Sequence, residues 1–270
     1  MSLSLSDIGL LAAPFVAGLV VLATHVPLGL TVLRRGIIFI DLAVAQVAAL
    51  GVIAAGLMHL DDNVGELAPW VTQFAAAAAA LAAAALLTFC ERRWPDIQEA
   101  LIGLLFVAAA AAGILLLAGN PHGGEHLRDL LTGQILWVSW TQIGVVAMVS
   151  AGVLAGSVLL RRRGIKRGNG GGFAFYALFA IAVTASVQLV GVLLVFASLI
   201  APAVATRGLP EDMRIPHAFI IGALGYAIGL AVSLFADLPA GAAAVCALVV
   251  LAATGLLLWR RPASADFSNE

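Results

Sequence analysis

Long apolar runs separated by short polar stretches recur along almost the whole chain: Ile8–Thr24, Ile37–Leu60, Leu67–Cys90, Ile97–Leu117, Ile135–Leu160, Phe173–Thr206, Ile215–Ala236 and Leu238–Leu258. A helix that crosses a bilayer needs about 17–25 apolar residues, and these runs supply them. Alanine and leucine dominate, with glycine and proline mostly at the ends. The pattern predicts α-helices, because barrel strands would appear as short segments alternating apolar with polar residues. The expected fold class is all-α, a polytopic integral membrane protein.

Phe173–Thr206 is too long for one ordinary crossing and too short for two generous ones. Arg161–Arg163, Lys166 and Arg167 precede it, and Arg207 and Arg214 follow it. Cytoplasmic loops hold the excess of Lys and Arg, so both groups belong inside and the crossings between them must be even in number. The run should therefore break into two short helices or a re-entrant pair, with Gln188 and Gly191 marking the break. Backbone that leaves the helix at membrane depth survives only where protein or water covers it. About nine spans (eight to nine) follow, with the N-terminus outside and the C-terminus cytoplasmic.

That topology also puts Arg34, Arg35, Arg92, Arg93, Arg260 and Arg261 inside and leaves only Arg128 outside. Trp70, Trp94, Trp137, Trp140 and Trp259 all fall at or near span ends, as an interfacial aromatic belt requires. Residues 1–262 read as a single transmembrane domain and residues 263–270 as a short polar tail. Met1–Asp7 has neither the basic start nor the small-residue cleavage site of a signal peptide, so the first run reads as a retained span.

Composition narrows the function classes. The chain is 62% hydrophobic and 11% charged, with a mean hydropathy of +1.07. A soluble domain carries about 25% charged residues, so the outer surface here faces lipid. A net charge of −1 gives no basic field, and no nucleic-acid partner is expected. The glycine-rich Gly168–Gly172 lacks the Gly-Lys-Ser/Thr of a phosphate loop, so any ATP hydrolysis belongs to a partner protein. Cys90 and Cys246 fall at different depths, too far apart for a disulfide.

Few side chains inside the spans carry chemistry. Asp41 is the one acid placed beyond the first turn of a predicted span, and an aspartate there costs about 2.5–3.5 kcal/mol on insertion scales. It marks an ion path, or it is an N-terminal aspartate favoured by the helix dipole or paired with Arg34 or Arg35. Gln46, Gln188 and Ser198 are hard, weak oxygen donors that suit a cation path; the alternative is interhelical hydrogen bonding. His122, Glu125 and His126 put two imidazoles and a carboxylate on one outer loop, donors that suit Zn²⁺ or Mn²⁺. His59, Asp61 and Asp62 stand on the preceding outer loop. Loops of this composition are also often only polar. The short inner stretch Arg207–His217, with Arg207, Glu211, Asp212 and Arg214, has the mixed charge of a docking element, or it is an ordinary turn.

Three segments together resemble the permeases of bacterial zinc/manganese/iron ABC importers. They are Val26–Gly51 (VPLGLTVLRRGIIFIDLAVAQVAALG), Gly191–Arg207 (GVLLVFASLIAPAVATR) and Leu234–Gly241 (LFADLPAG). His126–Ile143, with its Leu-x-Gly-x-Ile-Leu, resembles the outer stretch before the fifth span. In the last of the three segments Asp237 is expected to cap the final helix, with Pro239 in its first turn. The resemblance implies an inner-membrane permease homodimer, two cytoplasmic ABC ATPases, and an extracytoplasmic metal-binding protein. No cofactor is bound permanently, and a divalent metal ion, zinc or manganese, is the substrate. Asp41 is carried over as a metal-path residue. The family places a histidine one turn after that aspartate, whereas this chain has Ala45 there and Gln46 beside it. Iron, a metal chelate or another cargo therefore stays open. A secondary metal/proton carrier would need more intramembrane acids than Asp41. A membrane-embedded enzyme would need a histidine-based set inside the spans, where every histidine is expected at or near an end.

Overall fold

Charge parity and run length called for a broken helix near residue 190, and the computed structural model places the break at Gly191. The structure describes residues 5–58, 68–118, 133, 135–162 and 172–259. Among them the chain forms α1 (Leu5–Arg35), α2 (Ile40–Leu57), α3 (Ala68–Arg93), α4 (Gln98–Leu117) and α5 (Trp140–Arg162). It continues as α6 (Gly172–Val190), α7 (Val192–Ala205), α8 (Glu211–Ala236) and α9 (Ala240–Leu258). Eight of these are long and apolar enough to cross a membrane. The exception, α7, has 14 residues. At about 1.5 Å per residue it falls short of a bilayer core of about 30 Å.

Gly191 has φ 81° and ψ 163°, a conformation open essentially to glycine alone. The helical ladder nonetheless runs up to the break from both sides. The Gly191 amide donates to Val187 O at 2.8 Å, and Gly191 O accepts from the Val195 amide at 3.1 Å. Gly133, itself at φ 65°, lies directly against the break: a Cβ built on it would sit 2.3 Å from the carbonyl carbon of Val190. The short 3₁₀ turn Ile135–Trp137 follows and packs on α1, with Ile135 buried. Two glycines thus let one segment of backbone cover another, which answers the requirement for non-helical chain in a membrane.

α6 is the most buried span and α4 and α5 are the least. α6 packs on α3, α5, α2 and α1, while α7 packs on α1, α9 and α8. The broken pair therefore joins an α2–α3–α4 group to an α1–α8–α9 group. Lipid supplies no hydrophobic force between helices, so close backbone approach has to hold them together. Small residues permit it: a Cβ on Gly29 would lie 1.9 Å from Leu199 O, and one on Gly229 would lie 2.2 Å from Ala244 Cα. The bulky apolar side chains point outward instead, among them Leu104, Leu115, Met148 and Leu257.

Several boundaries differ from the sequence reading. The first helix does not stop at Thr24 but continues through Pro27 to Arg35. Pro27 has no amide to donate to Ala23 O, yet the helix continues, as membrane helices permit; one turn on, Thr31 Oγ1 donates to Pro27 O at 2.9 Å. α2 starts at Ile40 rather than Ile37, so Asp41 occupies its first turn. α8 starts at Glu211, which turns most of the expected inner loop into helix. Asp237 does not cap α9. It is the left-handed C-cap of α8 at φ 52°, and the N-cap of α9 is Pro239 without a side-chain bond. Cys90 and Cys246 are both free. The polar tail at 263–270 lies outside the described residues.

Candidate functional site

Asp41 is completely buried, and neither carboxylate oxygen has a hydrogen-bond partner among the described residues. Of the expected alternatives, Asp41 does stand in the first turn of α2, where the helix dipole favours an acid, whereas Arg34 pairs with Glu211 at 3.6 Å. The N-terminus of α2 is served by another acid: Glu99, on α4, accepts the Phe39 amide on Oε1 at 3.2 Å. Well over nine in ten buried polar groups in native proteins find a partner. A fully enclosed carboxylate without one is therefore the strongest chemical feature of the described interior.

The other path candidates separate into three kinds. Gln46 is buried on α2, five residues from Asp41 and so on a different face of the helix. Ser198 is tied into the packing: its Oγ lies 2.6 Å from Leu194 O and 2.8 Å from the Tyr226 hydroxyl. That arrangement is interhelical hydrogen bonding between α7 and α8. Gln188 is exposed at the end of α6, one turn before the break. Just beneath it, the Thr184 and Ser186 hydroxyls are buried without partners among the described residues. α2 packs against both α6 and α7, so the helices carrying all four side chains meet. No hydrogen bond joins any two of the four.

A first span that ends at Thr24 leaves out His25. It is fully buried within α1, where no histidine was expected. Nδ1 lies 2.9 Å from Val21 O. A carbonyl only accepts, so Nδ1 carries the hydrogen, and Nε2, which has no partner among the described residues, presents a bare lone pair. The signal was present in the sequence, since Val26, Leu28 and Leu30 continue the apolar run past Pro27.

At the end of the bundle where α7 passes into α8 the docking candidates cluster. Glu211 bridges Arg34 and Arg214 at 3.6 and 4.0 Å, and Arg214 Nε donates to Leu209 O at 2.9 Å. Arg207, Glu211 and Asp212 are exposed. The turn between α7 and α8 is braced by the end of α9, since a Cβ on Gly208 would lie 1.8 Å from Trp259 O. The outer candidates His122, Glu125, His126, His59, Asp61 and Asp62 lie outside the described residues. Among the described residues no group of three or more His, Cys, Asp or Glu could hold a metal ion.

The sequence matches the ABC 3 transport family over residues 7–166 and 171–258. No curated protein matches it significantly. Among solved structures it is similar to PsaBC from Streptococcus pneumoniae in complex with Fab, at 21% identity and a TM-score of 0.70, covering 93% of this chain and 92% of that one. It is also similar to an inward-facing conformation of a metal-chelate type ABC transporter, at 15% identity and a TM-score of 0.65, covering 96% of this chain and 90% of that one. At these identities the two likenesses show a shared fold.

Proposed function

The chain belongs to the ABC 3 transport family, and on that premise we propose that it is the membrane-spanning permease of an importer for a divalent transition-metal ion, zinc or manganese foremost and iron as a third cargo. The observation that carries the reading is Asp41, an enclosed carboxylate on α2 whose oxygens have no hydrogen-bond partner among the described residues. An intramembrane acid of that kind marks an ion path by default. Gln46, Gln188 and Ser198 stand as further path residues, with His122, Glu125 and His126 as outer metal contacts. Two cytoplasmic ABC ATPases, an extracytoplasmic metal-binding protein and a second permease copy complete the assembly in the inner membrane, with the N-terminus outside and the C-terminus inside. A path needs no tight equilibrium site, because the ion must also leave.

A second reading, a metal chelate as cargo, draws support from the lack of any three-ligand group among the described residues. A chelate brings its own ligands. The deciding measurement is ATPase activity of the purified permease–ATPase complex in lipid, with its binding protein loaded in turn with Zn²⁺, Mn²⁺ or Fe²⁺. Stimulation by one free-ion-loaded form is expected. Stimulation only by a chelate-loaded form selects the second reading, and none by either form removes metal import.

Arg207, Glu211, Asp212 and Arg214 are the ATPase-docking residues in this proposal. Glu211 forms exposed ion pairs, and exposed pairs contribute about 0–1 kcal/mol to stability. Glu211→Lys should therefore leave the melting temperature of the permease within about a degree or two, yet lower ATPase co-purification at least about tenfold through like-charge repulsion across the contact. Retention of the ATPase at the parental level would remove this surface from the docking site.

A further inference from the structure

We propose that the inner ends of α1, α5 and α6 form a binding site for the headgroup of an anionic glycerophospholipid. A cavity of about 170 Å³ opens there between the three helices, lined by Thr31 and Arg35 of α1, Leu154 and Ser157 of α5, and Phe175 and Leu178 of α6. A water molecule takes about 30 Å³ of liquid, so the space suits a phosphate with part of its glycerol. The lining mixes Arg35, Thr31 and Ser157 with apolar side chains such as Leu154 and Leu178, which suits a headgroup meeting its acyl chains.

Arg35 sets the charge preference. Its guanidinium carbon stands 3.9 Å over the centroid of the Phe175 ring. Stacking holds the planar fork in place, and such a fork matches phosphate oxygens in a bidentate way. The Ser157 hydroxyl adds a donor from the facing helix. The Thr31 hydroxyl is committed to the Pro27 carbonyl. Basic pockets between membrane helices on the cytoplasmic side have the chemistry that anionic headgroups take. α5 is among the least buried spans, so the cavity opens where lipid is available.

Native mass spectrometry of the full-length chain, titrated with phosphatidylglycerol or phosphatidylcholine of matched acyl length, tests the site. One bound phosphatidylglycerol with roughly fivefold preference is expected, the weight of a single basic residue near an anionic partner. Arg35→Gln should bring that preference close to one. Leu154→Trp, which fills the cavity and keeps the charge, should abolish the bound lipid and remains informative if Arg35→Gln fails to fold. Arg162→Gln, at an exposed cation outside the cavity, should keep the preference. Equal binding of both lipids overturns the proposal, as does loss in Arg162→Gln equal to that in Arg35→Gln. Displacement of the lipid by millimolar inorganic phosphate would make the occupant a soluble anion and overturn it as well.

Discussion

Asp41→Asn is expected to lower metal-stimulated ATPase activity and uptake at least about tenfold while leaving the folded permease at least as stable as the parent. The two halves of that result come from one fact: the Asp41 carboxylate is fully enclosed and meets no donor among the described residues. Burying a polar group without a hydrogen bond costs about 1–3 kcal/mol on mutational scales, and more for a charge. Its place in the first turn of α2 returns only about 0.3–1 kcal/mol through the helix dipole. Desolvation wins, so Asp41 is a net liability to the fold. The asparagine keeps the shape and removes the charge; a melting temperature equal to or higher than the parent's should follow. A cation path loses at the same time an enclosed carboxylate able to carry negative charge. Uptake should fall at least about tenfold, the lower end of what removing a supporting metal contact costs.

The measurement is a pair: thermal denaturation of the purified permease, and radiolabelled metal uptake in proteoliposomes holding the whole complex. A lower melting temperature together with lost uptake would make Asp41 a structural residue with a partner outside the described segments. Unchanged uptake would take Asp41 out of the path altogether. Asp41→Ala separates charge from volume: it removes the unpartnered group altogether and leaves only a small cavity, so uptake should be lost as in Asp41→Asn without a fall in melting temperature.

Most of the architecture was legible because membrane helices announce themselves by length and because basic residues choose a side. The break in Phe173–Thr206 followed from those two rules alone, and Gly191 stands where it was expected. What escaped depended on local contacts. Pro27 reads as a stop, yet a membrane helix tolerates it, and α1 continues and encloses His25. Asp237 reads as a cap for α9 because Asp-Leu-Pro is a good helix start. In the structure it takes the left-handed position that ends α8, with the Leu238 amide donating to Ser233 O at 3.2 Å. The site was partly legible for the same reason. An acid in an apolar run is visible as a type of residue, but whether it is satisfied depends on neighbours far away in sequence. Ser198 and Asp41 look alike as isolated polar positions; Tyr226 satisfies the first and nothing described satisfies the second.

The largest structural effect is expected at Gly133. Alanine there meets two obstacles at once. The residue sits at φ 65°, which costs an L-amino acid roughly 1–2 kcal/mol. Its new Cβ would also lie 2.3–2.4 Å from the carbonyl carbon and oxygen of Val190 and the amide nitrogen of Gly191. Those atoms are backbone, so relief requires moving the break itself rather than a flexible side chain, and overpacking adds about 1–3 kcal/mol. A sum of several kcal/mol is a large share of the roughly 5–15 kcal/mol that holds a typical domain together. Gly133→Ala should thus lower the yield of folded, detergent-extractable protein severely. Gly144→Ala is the matched control: that glycine lies within α5 with open space around it. A helix-interior Gly→Ala change there should gain about 0.5–1 kcal/mol. If the surviving Gly133→Ala protein still binds the ATPase but shows slowed uptake, the contact between Gly133 and the α6–α7 break also sets the rate at which that break rearranges. If both variants melt with the parent, the close backbone approach at Gly191 is not what holds α6 and α7 in place.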